Sequence, residues 1–359
     1  MYRKKIGILT SGGDCSGLNC VIRAAYLRSK ALGYSLIGIK RGLRGLIERP
    51  ANIVELNNEI CNDSLLTKSG SILLSNTKAL AKNNGEQYTN EECTELVVGG
   101  YHSLGLSGLI FIGGDGSISL LNRLLIKNSE LNVVVIPKTI DNDVPETDIA
   151  IGFSTVVEVV SEAIANIRTT AASHERSVVV EVMGRDAGFI AMYAGVAAGA
   201  DIILTPEFKY DAIKLIENVQ KCYASGKDHC VIVVAEAVES ATFKAEKNYN
   251  GVGEYVASIL KHNGFDVRTV VLGHTQRGGK TSVIDRIVGS AFGVTAVNLI
   301  NSDNSGVMLS YARGELKPIP LSLISGVDNK KLSKNDVCVR IARDFGVYIG
   351  ENVVNEDKV

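Results

Sequence analysis

The chain has no tryptophan and only six prolines in 359 residues. Neither scarcity carries a functional reading. Its seven cysteines include no CxxC pair, and their number is odd. That argues against a disulfide framework or a structural zinc site, and it fits a reducing cytoplasm. Charge of one sign is lacking too: 38 Lys and Arg stand against 39 Asp and Glu, a formal net charge of −1. Such a balance offers no bulk attraction to nucleic acid or anionic membranes, so neither is expected as a partner. No apolar run reaches the roughly 18 residues of a membrane helix. Met1 to Lys5 leads straight into a strand pattern, so no signal peptide is expected. Short-period repeats and low-complexity segments are missing. What the chain does have is 45% hydrophobic residues, ample for a globular protein of two or three domains.

Short apolar runs alternate with longer amphipathic ones. Ile6 to Thr10, Ser35 to Ile39, Ser107 to Ile112 and Val133 to Ile136 read as strands. So do Ser177 to Val182, Asp228 to Ala235 and Arg268 to Leu272. Leu18 to Leu32, Ser117 to Lys127, Thr155 to Thr169 and Ala187 to Ala198 read as helices, and another opens near Asp285. This alternation predicts an α/β protein with mainly parallel sheets covered on both faces. The strands are too many for one small sheet, so two α/β domains are expected. In such sheets ligands bind beyond the carboxyl ends of strands. Asn62 to Asn90 is the least regular stretch, expected to be a mobile region over the site.

Three turns carry chemistry. Ser11-Gly12-Gly13-Asp14 follows the first strand and precedes a helix, whose free N–H groups and positive dipole end suit phosphate. Taken alone, such a glycine turn is weak evidence. Gly113-Gly114-Asp115-Gly116-Ser117 is more specific. Its glycines let backbone amides approach phosphate oxygens, and Asp115 offers Mg²⁺ the hard oxygen ligand it prefers. Similar turns occur in NAD kinases and lipid kinases. The third is Pro137-Lys138-Thr139-Ile140-Asp141-Asn142-Asp143, where a carboxylate can take the proton of an attacking hydroxyl. Asp and Asn also cap turns, which is the plainer reading of Asp141 and Asp143. Cys15 has two readings: a thiol activated by the nearby helix start, or an inert small residue.

Together these turns resemble the phosphofructokinase family, and four further segments extend the likeness over most of the chain. They are Met183-Gly184-Arg185, Glu236, the run Gly273-His274-Thr275-Gln276-Arg277-Gly278-Gly279, and the pair Arg176 and Arg268. The resemblance implies two three-layer α/β domains with the active site in the cleft between them. Residues 1–152 with about 276–325 are the expected donor domain. Residues 153–275 with about 326–359 are the expected sugar-phosphate domain. The implied reaction moves the γ-phosphoryl group of Mg-ATP to the 1-hydroxyl of fructose 6-phosphate.

The family's pattern then assigns roles. Gly13, Lys78, Gly114, Asp115, Gly116 and Ser117 meet the donor, with Asp115 at Mg²⁺. Asp141 is the base, and Arg185 and Lys138 stabilise charge on the transferring group. Thr139, Ile140, Met183, Gly184 and Glu236 contact the sugar. His274 and Arg277 grip its 6-phosphate, and Arg176 and Arg268 reach it from a neighbouring subunit. That implies a homo-oligomer, dimer or tetramer, with shared sites in the cytoplasm. Arg suits phosphate because its planar fork donates two parallel bonds.

Two positions report the donor. Pyrophosphate enzymes of the family usually have Asp where Gly116 stands, and Gly116 leaves room for the α-phosphate of ATP. Lys138 is shared by pyrophosphate enzymes and a branch of ATP-using ones. ATP is therefore the expected donor and pyrophosphate the alternative. Lys78 follows Thr77, where the family has an Arg near the donor phosphates. The family's effector pocket is incomplete: Arg23 and Glu207 match it, but Leu27 replaces an Arg. A non-catalytic sugar-phosphate sensor usually loses the base or the metal acid, and both are retained here.

Overall fold

A computed structural model of the chain describes residues 4–76, 87–238 and 249–352. They form two compact units: Met1–Thr155 with Arg277–Asn329, and Val156–Gln276 with Lys330–Val359.

Unit 1 opens with β1 (Lys5–Thr10), α1 (Leu18–Ala31), β2 (Ser35–Ile39), the short α2 (Leu43–Ile47) and β3 (Ile53–Glu55). Then come α3 (Asn90–Ser103), β4 (Gly108–Gly113), α4 (Asp115–Lys127) and β5 (Val133–Pro137). α5 (Phe153–Ser173) leads to unit 2, which holds β6 (Ser177–Val182), α6 (Phe189–Ala197), β7 (Ile202–Leu204), β8 (Phe208–Lys209) and α7 (Ala212–Ala224). It continues with β9 (Val231–Ala235), α8 (Val252–His262) and β10 (Val267–Val271). The chain returns to unit 1 with α9 (Val283–Asn301), β11 (Val307–Ala312), β12 (Glu315–Pro320) and α10 (Leu321–Ile324). α11 (Val337–Asp344) and β13 (Glu351–Asn352) complete unit 2.

The seven-stranded sheet of unit 1 runs β12-β11-β5-β4-β1-β2-β3. Its five central strands are parallel, and both edge strands are antiparallel to their neighbours. The central strands are β-branched and apolar because helices cover both faces: every residue of β4 and β5 is buried. β12 carries Pro318 and Pro320, which an edge strand tolerates because its outer N–H groups need no ladder partner. Unit 2 has a parallel sheet of order β10-β6-β9-β7 and a small pair, β13-β8.

Several elements escape the sequence reading: β3, α3, β7, α7, α8, β11 and β12. α3 was legible at its start, where the Thr89 hydroxyl and the Glu92 carboxylate form a capping box. α9 corrects another expectation, since its 19 residues are long and apolar enough to cross a membrane by length and composition alone. In this fold it is an interior-facing helix of unit 1. Phe292, Ala296, Val297 and Ile300 are buried, and it packs closely along α1. Glycine makes that approach possible. A Cβ at Gly293 meets Ala24 Cβ and Ala25 N at 2.9 Å, and the Val21 carbonyl oxygen closer still. Gly293→Val is therefore expected to destabilise the protein by about 1–3 kcal/mol through overpacking. Urea unfolding measures it; an unchanged midpoint means the two helices do not touch there.

Candidate functional site

In unit 1 the carboxyl ends of β1, β4 and β5 lie side by side, with Gly113 in register with Pro137. Each is followed by one of the three turns. Lys138 ties them together. Its backbone N–H donates to the Gly113 carbonyl at 3.0 Å, and its Nζ donates to the Gly13 carbonyl at 2.7 Å. A Cβ at Gly114 stands 3.3 Å from the Lys138 carbonyl oxygen, and one at Gly12, where φ is +83°, stands 3.0 Å from Nζ. Only 4% of Lys138 is exposed. Burial pulls its ammonium below the ordinary lysine value and Arg277 acts in the same direction, while Asp14 and Asp141 oppose them.

α1 begins at Leu18, four residues after Asp14, and its start is buried: a Cβ at Gly17 meets Ile151 at 2.9 Å and Asp285 at 3.2 Å. Within the first turn, Ser11 N donates to the Ile112 carbonyl at 2.9 Å. Cys15 is settled by the same packing. Its thiol donates to the Ile151 carbonyl at 3.4 Å, and burial pushes it far above the ordinary cysteine value. It is an inert residue. The stretch before Asn76 closes on this turn. Asn19 holds it through Lys68, Gly70 and Ile72, the Asp14 carboxylate accepts from Ser71 N at 3.0 Å, and the Asn76 carbonyl accepts from Gly12 N at 3.2 Å. Thr77 and Lys78 lie outside the described residues.

At the second turn α4 starts at Asp115, with Gly114 as its N-cap and no side chain capping it. Asp115 is exposed in the first helical turn, where the helix dipole favours a negative charge. A Cβ at Gly116 meets nothing within 4 Å. Beside Gly116 opens a cavity of about 300 Å³, lined among others by Ser11, Arg41, Arg44, Asn76 and Arg123. Sequence reading missed these three arginines. Arg41 and Arg44 come just after the carboxyl end of β2, which was the available signal.

The third turn separates its two acids. Asp141 is half-buried; its backbone N–H donates to Thr139 Oγ1 at 3.1 Å, and its carboxylate accepts from the same hydroxyl at 3.3 Å. Asp143 is buried and accepts from Asn329 at 2.8 Å. Asn142, at φ +53°, is pinned by its own side chain to Asp148 and Ala150. Ile140, expected to touch substrate, turns its side chain into the interior at 2% exposure.

A mononuclear Mg²⁺ fits this half. Asp115 offers a carboxylate reachable from outside. Such a site suits an ion that keeps its waters and binds one or two carboxylates plus substrate phosphate.

Unit 2 gathers a second set of residues at the carboxyl ends of β6 and β9. The Glu236 carboxylate accepts from Gly184 N at 3.2 Å and Arg185 N at 2.7 Å. Gln276 accepts from Met183 N at 3.1 Å. Arg185 is exposed and holds φ +54°, a left-handed conformation uncommon outside glycine. His274 is exposed. Arg277 falls with unit 1, where its guanidinium donates to the Asp14 carbonyl at 2.9 Å beside Gly13. Arg176 and Arg268 flank one carboxylate, Asp266, at 3.4 and 3.3 Å. They stand at the amino ends of β6 and β10, one strand length or about 20 Å from the Met183–Arg185 turn. The two effector-like residues are used internally: Arg23 pairs with Asp63, and Glu207 accepts from Gly188 and Leu332.

Glycine turns on a parallel sheet, a buried lysine among them and a reachable carboxylate define a phosphate-handling α/β protein. The phosphofructokinase family model matches residues 5–300. ATP-dependent 6-phosphofructokinase 1 of Nostoc sp. is 41% identical over 359 residues, covering 97% of this chain and 99% of that protein. The pyrophosphate–fructose 6-phosphate 1-phosphotransferase of Dictyoglomus thermophilum is 38% identical over 339 residues, 91% of this chain and 94% of that protein. Among solved structures, phosphofructokinase of Pichia pastoris in the T-state superposes with a TM-score of 0.79 at 27% identity, over 90% of this chain and 36% of that one. The chain belongs to the phosphofructokinase family.

The contrast between the two acids is testable without substrate. Asp143→Ala is expected to cost about 1–3 kcal/mol by leaving buried donors unpaired. Asp141→Ala, at a half-buried position, should cost about 0.5 kcal/mol or less. Equal losses in thermal unfolding mean that Asp141 is structural too.

Proposed function

We propose that the protein is an ATP-dependent 6-phosphofructokinase that phosphorylates the 1-hydroxyl of fructose 6-phosphate. One observation carries the choice of donor: the empty space at Gly116 and the arginine-lined cavity beside it. Pyrophosphate ends where ATP continues into an α-phosphate and a nucleoside. Space and positive charge next to the phosphate turn are what that continuation requires. Lys138 and the 38% identity to a pyrophosphate enzyme support the second reading, pyrophosphate as donor.

In this mechanism Gly13 and the turn Gly114 to Ser117 hold donor phosphates, and Lys78 is assigned to the donor by the sequence alone. Asp115 would hold Mg²⁺, which would neutralise phosphate charge. Asp141 removes the proton of the sugar hydroxyl, and Thr139 orients its carboxylate. Thr139 and the backbone of Ile140 border the sugar. Lys138 and Arg185 balance the charge of the group in transfer, since phosphoryl transfer depends on position and electrostatics. Met183, Gly184 and Glu236 shape the sugar pocket, and His274 and Arg277 meet the 6-phosphate. Arg176 and Arg268 serve a neighbouring copy, because each stands a strand length from its own unit's turn. We further take the protein to be cytoplasmic and homo-oligomeric.

For the donor, kcat/KM with ATP and with pyrophosphate is measured in wild type and Gly116→Asp. Wild type should prefer ATP. The variant should lose ATP activity tenfold or more, because like charges a few ångströms apart in a partly dry pocket repel by about a kcal/mol or more. Preference of wild type for pyrophosphate refutes the donor and leaves the base untouched. For the base and the shared site, Asp141→Asn should lower kcat by about 10²-fold or more with little change in sugar affinity. Mixing inactive Asp141→Asn with inactive Arg176→Ala should restore partial activity. Mixed oligomers without activity would sink the shared site.

A further inference from the structure

Four side chains remote from these turns gather at the amino ends of β7 and β9. Asp201 precedes β7, Cys230 precedes β9, Cys222 lies in the last turns of α7, and Lys227 in the loop between α7 and β9. Cys230 donates its S–H to the Cys222 sulfur at 3.6 Å. Asp201, its side chain 3% exposed, holds the Lys227 ammonium on one oxygen and accepts from Val231 N at 2.8 Å on the other. The two sulfurs and an Asp201 oxygen lie within 4.8 Å of one another. Cys230 is buried, whereas Cys222 is half-buried.

We propose that Cys222 and Cys230 form a modification site for hydroperoxides, closing to a reversible disulfide between the end of α7 and the start of β9. The Cys222 thiolate attacks one oxygen of hydrogen peroxide. The O–O bond breaks, hydroxide leaves, and the sulfur becomes a sulfenic acid. Cys230 then gives up its proton and attacks the Cys222 sulfur, and the sulfenic oxygen leaves as water. Two thiols and one peroxide thus yield one disulfide and two waters.

Geometry assigns the two roles. Peroxide can reach Cys222 but not the enclosed Cys230, and the second sulfur already waits at contact distance. Closing the bond shortens 3.6 Å to about 2.05 Å, a movement the end of a helix and a short loop can supply. The hydrogen bond from Cys230 holds the Cys222 thiol below its ordinary value; Lys227 acts in the same direction, while burial and Asp201 oppose. Cys230 stays well above its ordinary value through that same hydrogen bond and through burial. A low-pKa, reachable thiol beside a resolving cysteine is the arrangement of reversible thiol oxidation. Metal binding is the poorer reading, because both Asp201 oxygens are engaged and a cation must first evict Lys227.

The test exposes reduced full-length protein to hydrogen peroxide, blocks remaining thiols and digests with trypsin. Cleavage after Lys221 and Lys227 puts the two cysteines on separate peptides, so a disulfide appears as a linked pair lacking two hydrogen atoms. Two of the seven thiols should disappear and return with dithiothreitol. Lys227→Gln should slow the loss by about threefold or more, because the thiolate loses its cation. Overoxidation of Cys222 with Cys230 still free overturns the proposal. So does zinc retained at one ion per chain on these two thiols.

Discussion

A buried ammonium organises the donor half. Lys138 is enclosed where water cannot solvate it, so its charge must be met by fixed dipoles, and the Gly13 carbonyl meets it directly. That bond holds the first turn against the strand end that carries the third. The backbone of the same residue joins the second turn through Gly113. Three loops that would otherwise move separately thus share one anchor; Gly12 suits it through its φ of +83°, and a Cβ at Gly114 would crowd the Lys138 carbonyl at 3.3 Å. The left-handed turn at Asn142 and its side-chain bonds to Asp148 and Ala150 stiffen the loop as far as Ile151. Asp141 is presented on this rigid frame.

Unit 2 solves the same problem with the opposite charge. Glu236 gathers the backbone N–H groups of Gly184 and Arg185, and Gln276 takes that of Met183. A turn with φ +148° at Gly184 and +54° at Arg185 is held by acceptors from two other strand ends. Backbone strain of this kind persists only where surrounding contacts over-determine it. Arg185 consequently projects from a fixed base, and its pairing with Asp186 at 3.6 Å is a loose surface one.

The turns were legible in sequence because β-branched runs such as Val133 to Ile136 end abruptly in glycine or in the Lys138 loop, and that pattern has few other meanings in an α/β chain. The parallel architecture could be read from the same runs. The cavity beside Gly116 was not legible. Arg41 and Arg44 follow β2 while Arg123 lies far away on α4, and each alone looks like solvated surface charge. Equally hidden was the division of labour between Asp141 and Asp143, since burial depends on Asn329, far away in sequence. The start of α1 at Leu18 was read correctly, whereas its burial against Ile151 and Asp285 has no local signature. β12 went unread because prolines and charges on an edge strand mask the alternation.

Unit 1 is assembled from two pieces of chain with unit 2 synthesised between them. Its sheet lacks β11 and β12, and α1 lacks the helix that covers it, until residues beyond Val283 exist. The sheet of unit 2 draws on an unbroken stretch that is complete by Val271. Domains fold as units during synthesis, generally in the order they emerge. Here the second unit's sheet is the first to have all its strands. The amino-terminal half, by contrast, leaves Leu109 and Val133 without Met308, Leu321 and Ile324, with which they form one core, until the chain has passed β11 and α10.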